Sequence, residues 1–211
     1  IYGAPSDCIW GGGRTSFGEA DPQKVLALMQ EYKISARLTF SNSLLREEHL
    51  QDQKCNALCA LFEENKGVQN GVIIHSDLLL DYLQKKYPEL YLVSSTTKVL
   101  TNFREFLEET DREEFCYVVP DFRLNKRFEQ LNQMNAQQKA KVEFLCNECC
   151  WFGCKDRKVC YETVSRKNLG EDCREHICTA PGAEDGYLFS KAMTNPGFIS
   201  VKDIKDVYLP M

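Results

Sequence analysis

The sequence predicts an α/β fold of the (β/α) TIM-like barrel kind, and three observations carry that prediction. Short β-branched and apolar runs recur along the chain. An amphipathic stretch of helical period follows most of them. Runs such as Gly71 to Ile74 are apolar without interruption, as strands of a parallel sheet buried on both faces are.

The strand runs, in order, are Ser35–Phe40, Gly71–His75, Leu90–Ser94, Phe115–Val119, Val142–Cys146 and a weaker Gly197–Val201, with Ile1-Tyr2-Gly3 as the tail of a first strand. Between them, Asp21-Pro22 caps and starts a helix running to Tyr32. Leu44–Asn65 carries apolar residues at helical spacing, and Asp77–Tyr87 and Asn102–Glu109 behave likewise, with polar or proline boundaries. An open doubly wound sheet is the alternative arrangement. About seven strands favour the barrel, and a complete barrel takes about 250 residues, so a chain of 211 is expected to be either compact or truncated. One domain, residues 1–211, is expected, with a Cys-rich metal-binding segment, residues 146–178, inserted after the sixth strand.

Composition narrows the function classes. The formal charge of -5 gives no general electrostatic pull toward nucleic acid. No apolar run is long enough to span a membrane, and the N-terminus lacks a basic flank followed by an apolar signal core, so a cytoplasmic protein with no membrane partner is expected. Eleven cysteines cannot all pair within the chain, and their clustering departs from the spaced framework of a secreted disulfide scaffold.

In either α/β architecture chemistry collects where strands end and helices begin. Those junctions read Ser41-Asn42, His75-Ser76, Ser95-Thr96-Thr97-Lys98, Asp121 and Asn147-Glu148. Helix capping accounts for any one of them. As a set, His75, Lys98, Asp121 and Glu148 supply acid/base groups and a cation at one rim, and they are the candidate catalytic residues. Arg14, Ser41, Asn42, Ser95, Thr96, Thr97, Asn125 and Asn147 are the candidate substrate contacts. Gly11-Gly12-Gly13-Arg14 is a flexible loop or a backbone cradle for an anion with Arg14 as counter-charge; it fits neither the dinucleotide fingerprint nor the P-loop. His49, within a charged helical face, is expected in solvent.

The cysteines divide by setting. Cys55 and Cys59 share a helix face among small apolar residues, and Cys116 lies inside a strand; all three read as core. Cys8, in the first strand-end loop, is placed to reach the rim. The stretch "LCNECCWFGCKDRKVC" holds five cysteines in sixteen residues, with Cys173 and Cys178 soon after. Short spacings leaving a strand end bring sulfurs together at small loop-entropy cost, so Cys149, Cys150, Cys154, Cys160, Cys173 and Cys178 are candidate metal ligands, for structural zinc or an iron–sulfur cluster. The spacing matches no zinc ribbon and no ferredoxin run. Lys155, Arg157, Lys158, Arg166 and Lys167 surround the cluster, offsetting thiolate charge, binding an anion or facing solvent.

The segments "YGAPSDCIWGGGRTSF", "RLTFSN", "NGVIIHS", "VSSTTK", "VVPDFRLNK" and "LCNECCWFGC" together resemble bacterial proteins related to the collagenase-like peptidases, peptidase family U thirty-two. The resemblance runs in order from Ile1 to about Tyr161 and resumes at "NPGFISVKDI". It implies a (β/α) barrel, and in some members a [4Fe-4S] cluster held by cysteines near the rim, with peptidase activity in some and hydroxylation of RNA bases or quinone precursors in others. It would carry the cluster role to Cys149, Cys150 and Cys154, with Cys160, Cys173 or Cys178 completing the set. Where an R-x-x-H-Y is expected, this chain reads Arg157-Lys158-Val159-Cys160-Tyr161, with Cys160 in place of the histidine.

Three functions follow as expectations. One is a barrel enzyme carrying a [4Fe-4S] cluster, with Ser95, Thr97, Lys98, Asp121 and Asn147 at an unidentified substrate. Another is a peptidase-like hydrolase using His75, Asp121 or Glu148 as general base, with or without zinc; it has no H-E-x-x-H motif or Gly-x-Ser-x-Gly elbow. The third is a non-enzymatic binding protein with structural zinc.

Overall fold

The computed structural model of the chain describes residues 1–5, 7–13, 21–64, 67–183 and 194–211. Its centre is one parallel sheet of five strands in sequence order: β1 (Tyr2–Gly3), β2 (Arg37–Phe40), β3 (Gly71–Ile74), β4 (Tyr91–Ser94) and β5 (Phe115–Val118). Strands neighbouring in sequence pair in register, Arg37 with Gly71 and Gly71 with Tyr91, as barrel strands do. Four helices fill the crossovers: α1 (Pro22–Glu31), α2 (Gln53–Glu63), α3 (Asp77–Lys86) and α4 (Phe103–Asp111). Beyond β5 come α5 (Phe128–Gln133), α6 (Ala136–Lys141) and α7 (Arg157–Asn168).

The caps follow the sequence signals. Asp21 accepts from the Gln23 amide ahead of Pro22, Ser76 from Leu79 and Asn102 from Arg104. The single helix expected over Leu44–Asn65 is broken in two, a 3-10 turn at Glu47–Gln51 and then α2. The break falls at Asp52, whose extended backbone lets its carboxylate accept from the Cys55 amide at 2.7 Å and start a new helix.

Alternation along the strands divides the sheet into two faces. Leu38, Phe40, Val72, Ile74, Leu92, Phe115 and Val118 face the helices and join Trp10, Cys55, Cys59, Phe62 and Leu83 in the main core. Ile73, Val93 and Val119 form a separate cluster on the other face, with Tyr91, Tyr117 and Leu145. The polar strand-end residues continue that second face, Ser41 two residues after Thr39 and Ser95 two after Val93.

Among the described residues the sheet has five strands where about seven were expected. Val142 forms one isolated parallel bridge with Val118, and the Ile199 amide donates to the Cys146 carbonyl at 2.9 Å. The order of the sixth and seventh runs is thus kept while their ladders are not, and residues from Val201 onward turn into a short helix instead of extending the run. The Asn125 amide straps the sixth run in place, donating to the carbonyls of Leu145 at 2.9 Å and Gly197 at 2.8 Å. No helix among the described residues is long and apolar enough to cross a membrane.

Two cysteines lie elsewhere than patterning indicated. Cys116 is exposed because Leu92 pairs with Phe115 and Val93 with Tyr117, leaving Cys116 as the extra residue of a β-bulge. Cys8 is buried in the main core beside Cys55 and does not reach the rim.

Candidate functional site

A cavity of about 460 Å³ opens on the second face of the sheet, at the C-terminal ends of the strands. Its floor is Ile73, Val119 and Leu145, and its polar wall includes Thr39, Ser41, Ser95, Thr96, Thr97, Asn147, Glu148 and Cys149. This volume suits a small organic ligand or a few residues of a peptide. Below the floor Arg37 closes the sheet, holding Glu143 at 2.7 Å and the Tyr91 hydroxyl at 2.7 Å while lying over the Tyr117 ring. Gly71 permits this, since a Cβ there would meet the Tyr91 ring at 2.6 Å.

β2 brings Thr39 and Ser41 to the cavity, two residues apart and so on one face. Both are nearly fully buried, and neither Thr39 Oγ1 nor Ser41 Oγ has a hydrogen-bond partner. The glycine loop packs directly over them. A Cβ on Gly12 would stand 2.2 Å from the Ser41 carbonyl oxygen, and one on Gly13 would touch the Thr39 methyl at 3.0 Å. Glycines 11 to 13 are therefore a fitted wall, not a flexible loop; Arg14, the expected counter-charge, lies outside the described residues.

The turn after β4 forms the next part of the wall. Ser95 Oγ accepts from the Thr97 amide at 3.2 Å and from the Thr97 hydroxyl at 3.0 Å, which leaves the Ser95 O–H free to donate. Thr97 Oγ1 lies 2.9 Å from His75 Nδ1. With the Thr97 proton given to Ser95, His75 donates from Nδ1, and its other ring nitrogen is the acceptor. Burial, with Lys98 and Lys158 nearby, pushes the His75 pKa down to about 4, so the imidazole is neutral at pH 7. His75 stands behind Thr97 and is not on the cavity wall.

Two carboxylates line the cavity, Glu143, which Arg37 holds, and the expected candidate Glu148. Its Oε1 accepts from the Cys150 amide at 3.0 Å and from the Cys149 thiol at 3.6 Å, and its Oε2 accepts from Arg157 at 2.7 Å. Arg157, at the start of α7, is 2% exposed and also reaches the Tyr161 hydroxyl at 3.0 Å and Asp121 at 3.4 Å. Burial works against its charge, yet Tyr161, Glu148, Cys150 and Asp121 around it leave its pKa raised. Arg123 grips Asp121 from the other side at 2.6 and 3.0 Å.

The remaining expected residues divide clearly. Ser41, Ser95, Thr96, Thr97, Asn147 and Glu148 meet at the cavity. Asp121 does not: fully buried, it caps the Phe122–Leu124 turn between two guanidinium groups. Lys98 pairs with Glu109 of α4 at 2.5 Å, with its ammonium over the Phe115 ring, and stays off the wall. Asn42 spends its amide on the Ile9 and Ser165 carbonyls, and Asn125 is the strap described above. His49 accepts from the Arg46 amide at 3.0 Å, capping its own turn. Sequence reasoning missed Thr39, although period-2 alternation ties it to Ser41. It also left Arg157 among five cations that offset thiolate charge, bind an anion or face solvent, without pairing it to Glu148 or Asp121, although Arg157 and Tyr161 are four apart on one helix face.

The cysteines of the expected ligand group have different settings. Cys149 is on the cavity wall, whereas Cys150 and Cys154 are fixed through their carbonyls by Asn195 at 2.7 Å and Arg123 at 2.9 Å. Cys160 rides on α7, Cys173 donates to the Thr163 carbonyl along the same helix, and Cys178 is exposed. Among the described residues no group of three His, Cys, Asp or Glu side chains is placed to hold a metal, so as they stand they do not fit a [4Fe-4S] cluster or a zinc ion.

No family model matches the chain, and no curated protein matches it. Among solved structures the chain is similar to the U32 peptidase Mk0906, with a TM-score of 0.59 and 14% identity over 82% of this chain and 71% of that one. At this identity the likeness concerns the fold alone. It fits the barrel-type order of the sheet.

Proposed function

We propose that the chain is a peptidase-like hydrolase that seats an extended peptide in the cavity and uses Glu148 as its general base. The observation that carries this reading is the pair of buried, unpartnered hydroxyls of Thr39 and Ser41 on the cavity wall. A buried polar group left unsatisfied costs about 1–3 kcal/mol, so both ask for a polar ligand. Side chains two residues apart on a strand stand about 6.6 Å apart, which is also the repeat of like backbone groups in an extended peptide. A peptide lying along β2 meets both hydroxyls with successive backbone groups and rests its side chains on the apolar floor of Ile73, Val119 and Leu145.

Glu148 follows from position. Of the two glutamates lining the cavity, Glu143 is held by Arg37 through both oxygens, whereas Glu148 has its Oε2 anchored by Arg157 and its Oε1 toward Cys149 and the Cys150 amide. In the reaction Glu148 takes the proton of the attacking group and returns it to the leaving amine. Ser95, with a free O–H, donates to the carbonyl oxygen as charge develops there. The described cysteines form no ligand set, and no step runs through a cluster or zinc. The fold likeness to a U32 peptidase supports the same substrate class.

The test is cleavage of a defined peptide library followed by mass spectrometry. Wild-type protein is expected to release products, and Glu148→Gln to lose about 10²–10⁴-fold in kcat/KM while peptide affinity holds within about threefold. A wild type that cleaves nothing, or a Glu148→Gln protein that cleaves as fast, overturns the reading.

A further inference from the structure

We infer that His75 is a positioning residue which, acting through Thr97, turns the Ser95 hydroxyl proton into the cavity. The inference rests on the reading of Ser95 as the donor to the substrate carbonyl and names the group that aims it. His75 follows β3, two residues after Ile73 and so on the cavity face of the sheet. Its ring meets Thr97, not the cavity: Nδ1 lies 2.9 Å from Thr97 Oγ1, and Thr97 in turn reaches Ser95 Oγ at 3.0 Å. The Ser95 amide donates to the Ile74 carbonyl at 2.9 Å, which pins the turn carrying both hydroxyls to the strand end carrying His75.

Two buried hydroxyls in a row can point either way along it. In one direction Ser95 donates to Thr97, Thr97 donates to a bare Nδ1, and no proton is left for the cavity. In the other, Nδ1–H donates to Thr97, Thr97 donates to Ser95, and the Ser95 proton is left over at the wall that Ser95 lines. The contact between the hydroxyls has Thr97 Oγ1 as donor and Ser95 Oγ as acceptor. The Thr97 amide, at 3.2 Å, fills the second acceptor site of Ser95 Oγ. Burial and the Lys98 and Lys158 ammonium groups, set against Asp77 and Glu109, keep the ring neutral, so it has one N–H to give. Given to Thr97, that proton fixes the direction of the row, and the donor is aimed before any substrate arrives.

The test reads the proton directly, on the full chain without ligand. With isotope-labelled histidine, long-range proton–nitrogen NMR correlation at mildly alkaline pH tells a protonated ring nitrogen from a bare one. The chain has three histidines, and His49 is an internal reference of the opposite tautomer, because its Nδ1 accepts from the Arg46 amide at 3.0 Å. His75 is expected to be protonated at Nδ1 and bare at Nε2, and His49 the reverse; a bare Nδ1 on His75 overturns the proposal. On a peptide that the library shows to be cleaved, His75→Phe is expected to lower kcat about tenfold, the worth of one hydrogen bond, while KM stays within about twofold. His75→Asn, whose amide N–H stands in for Nδ1–H, is expected to recover most of that rate. Equal loss in the two variants, each folded by circular dichroism, or full rate in His75→Phe, sinks the positioning role. The NMR reading on wild type stands even if a variant misfolds. Peptide cleavage by a protein whose His75 is bare at Nδ1 would sink the relay and leave the peptidase reading intact. Nδ1–H on His75 in a protein that cleaves no peptide would uphold the aim of Ser95 and sink the peptide substrate.

Discussion

Arg157 holds a full charge at 2% exposure because carboxylates meet it from two directions, Glu148 at 2.7 Å and Asp121 at 3.4 Å. Removing one member of a buried ion network leaves the others uncompensated, so Arg157→Met is expected to cost about 3–5 kcal/mol. A urea titration reads this as a lower midpoint, and an unmoved midpoint would contradict the network. His75 gives a second residue-scale expectation. Its folded pKa of about 4 lies below the ordinary value of 6.5, so between those values the unfolded chain binds a proton that the folded chain refuses. Stability is fully present above pH 6.5 and falls as the pH drops toward 4, by roughly 3 kcal/mol over that window. His75→Gln should flatten this part of the pH–stability curve; an unchanged slope would show that His75 is not buried as described. Neither expectation was legible in sequence, since a helix-borne Arg or a strand-end His has exposure and capping as its ordinary fates, and only the tertiary neighbours decide otherwise.

At the scale of elements, the glycine loop and the bulge show how packing overrides local pattern. Gly12 is required because its α-carbon meets the backbone after β2, with only 2.2 Å between a would-be Cβ and the Ser41 oxygen. Gly12→Ala is expected to destabilise by about 1–3 kcal/mol and to weaken ligand binding by shifting Ser41. Thermal melts together with a binding isotherm check this, and a melt and isotherm matching wild type would refute it. Strand order and the caps at Asp21, Ser76 and Asn102 were readable because alternation and capping are local. The bulge at Cys116 and the break at Asp52 were not, because the first depends on the register with β4 and the second on a side chain competing with a helical backbone bond. At this scale too, α7 carries Cys160 along its 12 residues and Cys173 donates to the Thr163 carbonyl on it, a placement that sequence density alone does not give.

For the whole molecule, five parallel strands in sequence order bend their polar ends toward one cavity, and a bridge at Val142 with the Asn125 strap extends that order past β5. The α/β class and the rim were legible from the repeated strand-then-helix rhythm, and six of the expected rim residues do line the cavity. The number of full strands was not, because Val142–Cys146 and Gly197–Val201 have strand-like composition but too few ladder bonds to be held as strands. On the proposed reading, the cavity receives a peptide through the two unpartnered hydroxyls. The most direct measurement is peptide affinity, by calorimetry, of wild type against the double variant Thr39→Val, Ser41→Ala. The account predicts a loss of about 10–100-fold, the worth of one to two hydrogen bonds at about 1–1.5 kcal/mol each, with the fold unchanged by circular dichroism. Equal affinity in the two proteins, or no binding by the wild type, would contradict it.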